Sequence, residues 1–347
     1  MKIYHLSHTD LDGYCCQLLT KEIFNNIEFL NANYGEEVGI RLEYIIKNIK
    51  ESSTKTKILI TDLNLTLEEA EFLHKEVENL NSSGKEVKLQ LLDHHATGLD
   101  SAENFNWYHL DVTKSATLIT YKYLIENYAA KNLTKYLQLV EAVNAVDLWL
   151  QKHELFEFGK VCMRLVDEAK EINRNLFPSE NAEYKHYVIK TAADYIGKEE
   201  AHIKLDDNLY KIKKSFFRKD KNDTLDNMVT AYIVSLLNTK KDEMTIYYKN
   251  NKGILTYSIG NTSIIGNEFL TQNPDYSFFM NVSARGSFSL RANNKMDVSK
   301  MAEELAGGGG HPNASGGRIK GFKEQFIYSE LKSNIEELLK EKENETK

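Results

Sequence analysis

Eight acids and imidazoles stand where short apolar runs give way to polar residues: His8, Asp10 and Asp12 in "SHTDLDG", Asp62 in "ILITDLN", Asp93, His94 and His95 in "LLDHH", and Asp147 in "VNAVDLW". Three titratable groups in a row are costly to bury and are not needed for a turn. Crowded carboxylates raise one another's pKa unless a counter-charge lies among them. The natural counter-charge is a pair of divalent cations. Asp and His ligands without thiolate suit Mn²⁺ best, with Mg²⁺, Co²⁺, Fe²⁺ or Zn²⁺ as alternatives. Two such ions about 3.5–4 Å apart can activate a water and hold a phosphoryl oxygen for in-line attack. Each residue alone has a plainer reading: Asp12 as a helix N-cap, Asp62 as the start of a turn, Asp147 as a surface acid on a helix.

The elements that must position these groups alternate in type. The strand-like runs "KIYHL", "KILITDL" and "EVKLQLLD" are followed by "GYCCQLLTKEIFNN", "TLEEAEFLHKEVENL" and "SATLITYKYLIENYAA", whose apolar residues recur at helical spacing. Thr66 with Glu69 three residues on reads as a capping box, and Ser115 as an N-cap. Such alternation predicts a parallel sheet covered by helices on both faces, with ligands bound beyond the carboxyl ends of its strands. The three strand ends then share one edge. His8, Asp10 and Asp12, at alternate positions of an extended segment, point to one side.

From about residue 130 to 205 the pattern is helical, and "NAEYKHYVIKTAADYIGKEEAHIK" reads as a long connecting helix. A basic run, 211–221, reads as a solvated linker near the domain boundary. Beyond it "EMTIYYKNNKGILTYSIGN" and "YSFFMNVSARGSFSLRAN" read as hairpins, "DVSKMAEELA" as a short helix running into "GGGGHPNASGG", and the end as an amphipathic helix with a frayed, charged tail. The division predicted is 1–182 for an α/β metal-binding catalytic domain, 183–214 for a connecting helix and linker, 215–330 for a smaller α/β domain with a mixed sheet, and 331–347 for the terminal helix. His5 reads as a core histidine, and His74, His153, His186 and His202 as solvent-facing residues on helices. Cys15 and Cys16 read as core.

The bulk numbers narrow the chemistry. A chain of 347 residues with 41% hydrophobic and 27% charged residues fits a soluble two-domain protein. A net charge of −7 argues against coating long nucleic acid and leaves room for a short phosphate-bearing ligand in one pocket. Three cysteines without a CxxC pair suit a reducing cytosol and exclude a thiolate zinc cage. With no signal peptide at the start and no membrane span, a cytoplasmic location is expected.

In their order, "SHTDLDG", "ILITDLN", "LLDHH" and "AVDLW" resemble the four motifs of the DHH phosphoesterase superfamily, which covers RecJ-type exonucleases, nanoRNases, cyclic dinucleotide phosphodiesterases and family II inorganic pyrophosphatases. The glycine run Gly307 to Gly310 before His311 resembles the mark of that family's associated C-terminal domain. The resemblance covers most of the chain, and the ordered set is specific where any single motif is weak. It implies that His8, Asp10 and Asp62 hold one metal and that Asp12, Asp62, His94 and Asp147 hold the other, with Asp62 bridging. It makes Asp93 the group that orients a neighbouring imidazole. His95 then faces the scissile phosphate as an electrophilic partner or a proton donor. Several RecJ-type members carry Asp where this chain has His8, so the chain looks more like the oligoribonuclease and cyclic-nucleotide branch.

Substrate binding falls to the second half. Gly308, Gly309 and Gly310 let a phosphate approach backbone amides. Arg291 offers a bidentate contact, and His311 a further donor, with Asn313 and Ser315 as additional candidates. A cleft with metals on one wall and phosphate contacts on the other fits a short ligand. The expected activity is Mn²⁺-dependent hydrolysis of short oligoribonucleotides or linear dinucleotides to mononucleotides. The same site could instead serve a cyclic mono- or dinucleotide, 3′-phosphoadenosine 5′-phosphate, single-stranded DNA or pyrophosphate, or belong to an inactive nucleotide sensor. A homodimer stays open as an assembly.

Overall fold

The computed structural model describes residues 1–219 and 222–345, and it divides the chain into two compact units. The first comprises Met1–Ala169 and Pro178–Phe216. Its sheet is built from β1 (Lys2–Ser7), β2 (Ile27–Asn31), β3 (Thr56–Thr61), β4 (Val87–Asp93) and β5 (Tyr108–Leu110), in the order β2-β1-β3-β4-β5 with every pair parallel. Between them run α1 (Leu11–Lys21), α2 (Glu36–Glu51), α3 (Leu67–Ser82) and α4 (Leu99–Asn104). The helices α5 (Ala116–Tyr128), α6 (Leu137–Asp147) and α7 (Phe156–Glu168) follow. Alternation along the strands sorts the core. Tyr4 and Leu6 of β1 and Ile58 and Ile60 of β3 pack in one cluster with Leu42, Ile45 and Leu73 of α2 and α3. Ile3, Leu59 and Leu92 point the other way, toward Ile119 of α5. A sheet buried on both faces is the outcome that parallel crossovers demand.

The helix starts follow their sequence signals. Thr66 and Glu69 form a complete capping box on α3, and Ser115 caps α5. One expectation is corrected: His8, Asp10 and Asp12 do not share an extended segment. The strand ends at Ser7, Asp10 is the N-cap of α1 through a bond accepted from the Gly13 amide (3.0 Å), and Asp12 lies inside the helix. Glycine is required at position 13, where a Cβ would sit 2.4 Å from the His8 carbonyl oxygen. The strands β2 and β5 and the helix α2 are further elements, absent from the sequence reading.

The stretch read as one connecting helix, 181–204, is broken into α8 (Pro178–Ala193) and the start of α9 (Ala201–Asp206), with α10 (Leu209–Phe217) following. Gly197 at φ +81° and Glu200 at φ 51° take left-handed conformations that interrupt the helical ladder. The basic run is helical through Phe217 rather than a linker, with Lys213 Nζ donating to the Glu168 carbonyl (2.9 Å). Its residues 220 and 221 lie outside the described residues. His186 and His74 are also corrected: His186 is buried against Phe29, and His74 is half-buried and accepts a bond from the Trp107 indole (3.3 Å).

The second unit comprises Lys170–Phe177 and the chain from Phe217 onward. It begins with α11 (Leu225–Met244), β6 (Thr245–Tyr248), β7 (Asn251–Tyr257) and α12 (Thr262–Gln272). Next come β8 (Phe278–Val282), β9 (Ser287–Ala292) and α13 (Val298–Ala306), and last β10 (Gly309–His311), β11 (Ala314–Arg318) and α14 (Tyr328–Glu345). Its mixed sheet runs β10-β11-β9-β8-β7-β6, with β7 and β8 parallel and the other pairs antiparallel. The terminal helix continues to Glu345, anchored by buried Leu331, Ile335 and Leu339. Among the described residues no helix is long and apolar enough to cross a membrane.

Candidate metal centre

The first unit delivers all eight chemistry-bearing residues to the carboxyl edge of its sheet or beside it. His8 follows β1, Asp62 follows β3, Asp93 closes β4 with His94 and His95 after it, and Asp147 is the last residue of α6. The strand ends are braced beneath by a buried polar chain. Both ring nitrogens of His5 bond hydroxyls, Thr20 and Thr61, at 2.9 Å each, and the Ser7 hydroxyl donates to the carbonyls of Thr61 and Gly13. This network fixes the ends of β1 and β3 one residue before His8 and Asp62.

Three sets of ligand atoms form, each with all members within 4.8 Å of one another: His8, Asp10 and Asp62; Asp12, His94 and Asp147; and Asp62, His94 and His95. Asp62 and His94 each belong to two sets, so the clusters are contiguous. His8 Nδ1 lies 2.9 Å from Asp10 Oδ2 and 3.8 Å from Asp62 Oδ2. His94 Nε2 lies 3.4 Å from Asp62 Oδ1, 3.5 Å from Asp147 Oδ2 and 3.8 Å from Asp12 Oδ2.

The site is out of electrostatic balance in the protein alone. Burial first, and then the charges of Asp12 and Asp10, push the Asp62 carboxyl well above the usual range. The same causes take Asp147 up to about 8, and burial followed by the charge of Asp10 raises Asp12. Burial lowers the pKa of His94, so the ring there favours its neutral, ligating form despite the carboxylates around it. Asp62 Oδ2 and His94 Nε2 are buried with no hydrogen-bond partner among the described residues. Asp62 is also held at φ 56°, an uncommon conformation for a residue with a side chain. Buried, unpaired acceptors among crowded carboxylates are what a cation would satisfy. The donor set fits a pair of divalent ions.

The remaining members brace the site. Asp12 is buried and spans two elements: its carboxylate accepts the amides of Ala116 (2.7 Å) and Thr117 (2.8 Å), N–H groups in the first turn of α5 that have no carbonyl partner within the helix. It thus caps α5 rather than its own helix. Asp93 is fully buried and holds His95 Nδ1 at 2.7 Å while accepting the Tyr108 hydroxyl at 2.9 Å. Burial opposes a charge on His95, but the Asp93 bond and the nearby carboxylates win, and the His95 pKa is raised. The sequence reading missed two tyrosines. Tyr108 steadies Asp93, and the Tyr34 hydroxyl lies 3.1 Å from both ring nitrogens of His95, with its ring 5.2 Å from that of His8. Neither has a motif; an aromatic in "NANYGEE" and "NWYHLD" gives no hint of direction.

In the second unit Arg291 is half-buried on β9 and donates to the Leu290 carbonyl (2.7 Å) and the Ser263 hydroxyl (2.6 Å). His311 pairs with Ala314 and Ala314 with Arg291, so the His311 and Arg291 side chains share one face of the sheet, two strands apart. The glycine run is not a free loop. The amides of Gly307 and Gly308 donate to Glu303 and Ala302 at the end of α13, and Gly309 and Gly310 lie in β10. Gly308 and Gly310 are needed because a Cβ would sit 2.3 Å from the Gly316 oxygen and 2.5 Å from that of Ala314. Ser315 is withdrawn as a ligand candidate: it is buried and donates to the Val298 carbonyl. Asn313 pairs with Asn294.

Residues 221–346 match the family model of the DHHA1 domain. The chain is 45% identical over 343 residues to a 3′,5′-cyclic-nucleotide phosphodiesterase of Helicobacter pylori (strain ATCC 700392 / 26695), covering 97% of this chain and 99% of that protein. It is 28% identical over 325 residues to oligoribonuclease NrnB of Bacillus subtilis (strain 168), covering 90% of this chain and 72% of that one. The crystal structure of an uncharacterized protein from Helicobacter pylori G27 superimposes with a TM-score of 0.91 at 43% identity, over 98% of this chain and 99% of that one.

Proposed function

Because the chain belongs to the DHH phosphoesterase superfamily and carries its DHH-associated C-terminal domain, and is therefore a phosphoesterase, we propose that it cleaves 3′,5′-phosphodiester bonds in small nucleotides, with Mn²⁺ as the working ion. One observation carries the reading: ligand sets that share Asp62 and His94 converge at one sheet edge and leave buried polar atoms unpaired. His8, Asp10 and Asp62 would hold one ion, and Asp12, Asp62, His94 and Asp147 the other. Two bound divalent ions supply an activated water and neutralise charge on the phosphoryl oxygens.

The protein's own groups do the rest. Asp93 fixes the His95 ring and favours its charged form, which puts a proton on Nε2, beside the Tyr34 hydroxyl, that would pass to the leaving sugar oxygen. Tyr34 sits beside the same imidazole and restricts its rotation. In the second unit Arg291 spends two of its donors on the protein and keeps others for a phosphate or base, with Gly309, Gly310 and His311 two strands away on β10 and Gly308 just before it.

A cyclic 3′,5′-mononucleotide is the first substrate to try, in line with the relative from Helicobacter pylori matched over nearly its whole length. Short oligoribonucleotides are the second reading, favoured by the likeness to NrnB and by the acidic balance of the chain, which disfavours long polyanions. The ester is the same in both. Purified protein with Mn²⁺ should release mononucleotides from a cyclic nucleotide or a dinucleotide and act slowly on a long RNA. Equal rates on long and short RNA, or turnover of pyrophosphate alone, would overturn this reading.

A further inference from the structure

Two residues beyond Asp147 stands Trp149, 57% exposed, with Leu150 beside it also exposed. Its backbone is unusual. The helix α6 ends in a Schellman turn: the Leu150 amide donates to the Ala145 carbonyl at 2.7 Å and the Trp149 amide to that of Val146 at 3.2 Å. In this motif the residue at the corner takes a left-handed conformation and is usually glycine. Here the corner is Trp149, at φ 56°. A bulky residue in that conformation is an outlier that local folding does not favour. The residue is not there to fill the core, since more than half of it is exposed; among the described residues its ring meets that of Phe156 at right angles, 5.2 Å between centroids. A glycine would form the same turn with less strain, so the indole itself needs another explanation.

Its place suggests one. Two peptide units separate Trp149 from Asp147, so their Cα atoms are within about 7.6 Å, on the scale of a nucleotide from phosphate to base. Exposed aromatic faces are the usual platform for bases, whatever the sequence. We propose that Trp149 is a substrate-binding residue that stacks on the base of a nucleotide whose phosphate is held at the metal centre. The proposal rests on the reading of the substrate as a nucleotide. It gives the first unit, by itself, a contact to the base as well as to the phosphate, and it prefers purines, whose larger faces stack better.

The test uses full-length, Mn²⁺-loaded protein and two ligands that differ only in the base, AMP and ribose 5-phosphate. AMP should quench the exposed indole; the other tryptophan, Trp107, is buried. In Trp149→Gly the affinity for AMP should fall roughly five- to hundredfold, while that for ribose 5-phosphate stays as in the parent. Trp149→Phe should keep most of the AMP affinity. The thermal midpoint of Trp149→Gly should not drop, because glycine suits the corner. Equal losses for both ligands would assign Trp149 a structural role and overturn the proposal. So would unchanged AMP affinity, and a fall in sedimenting mass with it would give the patch to a second copy of the chain. Failure of the underlying reading looks different: parent protein that hydrolyses bis(p-nitrophenyl) phosphate but no nucleotide.

Discussion

The carboxyl edge of the first sheet and the glycine-rich edge of the second treat their polar groups in opposite ways. At the first, Asp62 and His94 keep buried atoms without hydrogen-bond partners among the described residues, carboxylates crowd one another, and Asp62 sits in a strained backbone conformation. At the second, Gly307 and Gly308 are hydrogen-bonded to α13, Arg291 is held by Leu290 and Ser263, and His311 is exposed. The first holds crowded carboxylates whose repulsion added positive charge would relieve. The second is complete and can offer spare donors at no electrostatic penalty. One carries an imbalance that cations would relieve; the other carries none.

Substitutions can break that contrast. Asp62→Asn should lower phosphodiesterase activity by at least about a thousandfold and leave the circular dichroism spectrum unchanged, since it removes a charge the fold alone cannot satisfy. A variant with a tenth of the activity would mean that Asp62 is a structural acid. Asp93→Asn should cost about ten- to a hundredfold in kcat with the bound-metal content preserved, because it touches His95 and Tyr108 rather than an ion. Loss of metal in that variant would move Asp93 into the ligand set. Arg291→Ala should raise KM for a nucleotide roughly tenfold, equivalent to about 1.4 kcal/mol, without changing metal content. A loss confined to kcat would argue that the arginine acts on the reaction rather than on binding.

The smallest effect concerns the brace below the site. Burial, and then the positive charge of Lys57, lower the His5 pKa to about 3. An unfolded chain takes up a proton there near pH 6.5 and the folded chain does not. Stability from this group is therefore present above about pH 6.5 and is lost as pH falls toward 3, at up to about 1.4 kcal/mol per pH unit. His186, also buried and shifted far down, adds a loss of the same sign. His5→Gln should flatten the fall in urea midpoint between pH 7 and pH 5; an unchanged slope would show that His5 is not buried as a neutral ring.

Much of this was legible in the chain. Strand–helix alternation predicted the parallel sheet, because crossovers leave both faces apolar, and the caps at Thr66 and Ser115 stand where their side chains can reach amides three residues on. Local signals failed where a partner is distant. Nothing in "SHTDLDG" tells that Asp10 rather than Asp12 caps α1, since the bond that claims Asp12 comes from Ala116 and Thr117, more than a hundred residues away. Tyr34 and Tyr108 lack any motif for the same reason. The glycine run signals a close approach, and the approach the structure shows is to the backbone of β11. The long connecting helix failed at Gly197, a single glycine that a helical pattern tolerates on paper.

The central claim is that dispersed acids and imidazoles close around two ions. Titration of chelator-stripped protein with Mn²⁺, followed by calorimetry and elemental analysis, should find two ions per chain, a raised melting temperature, and no tight uptake by Asp62→Asn. Folded protein that takes up no divalent cation, or an Asp62→Asn variant that binds both as well as the parent, would contradict it.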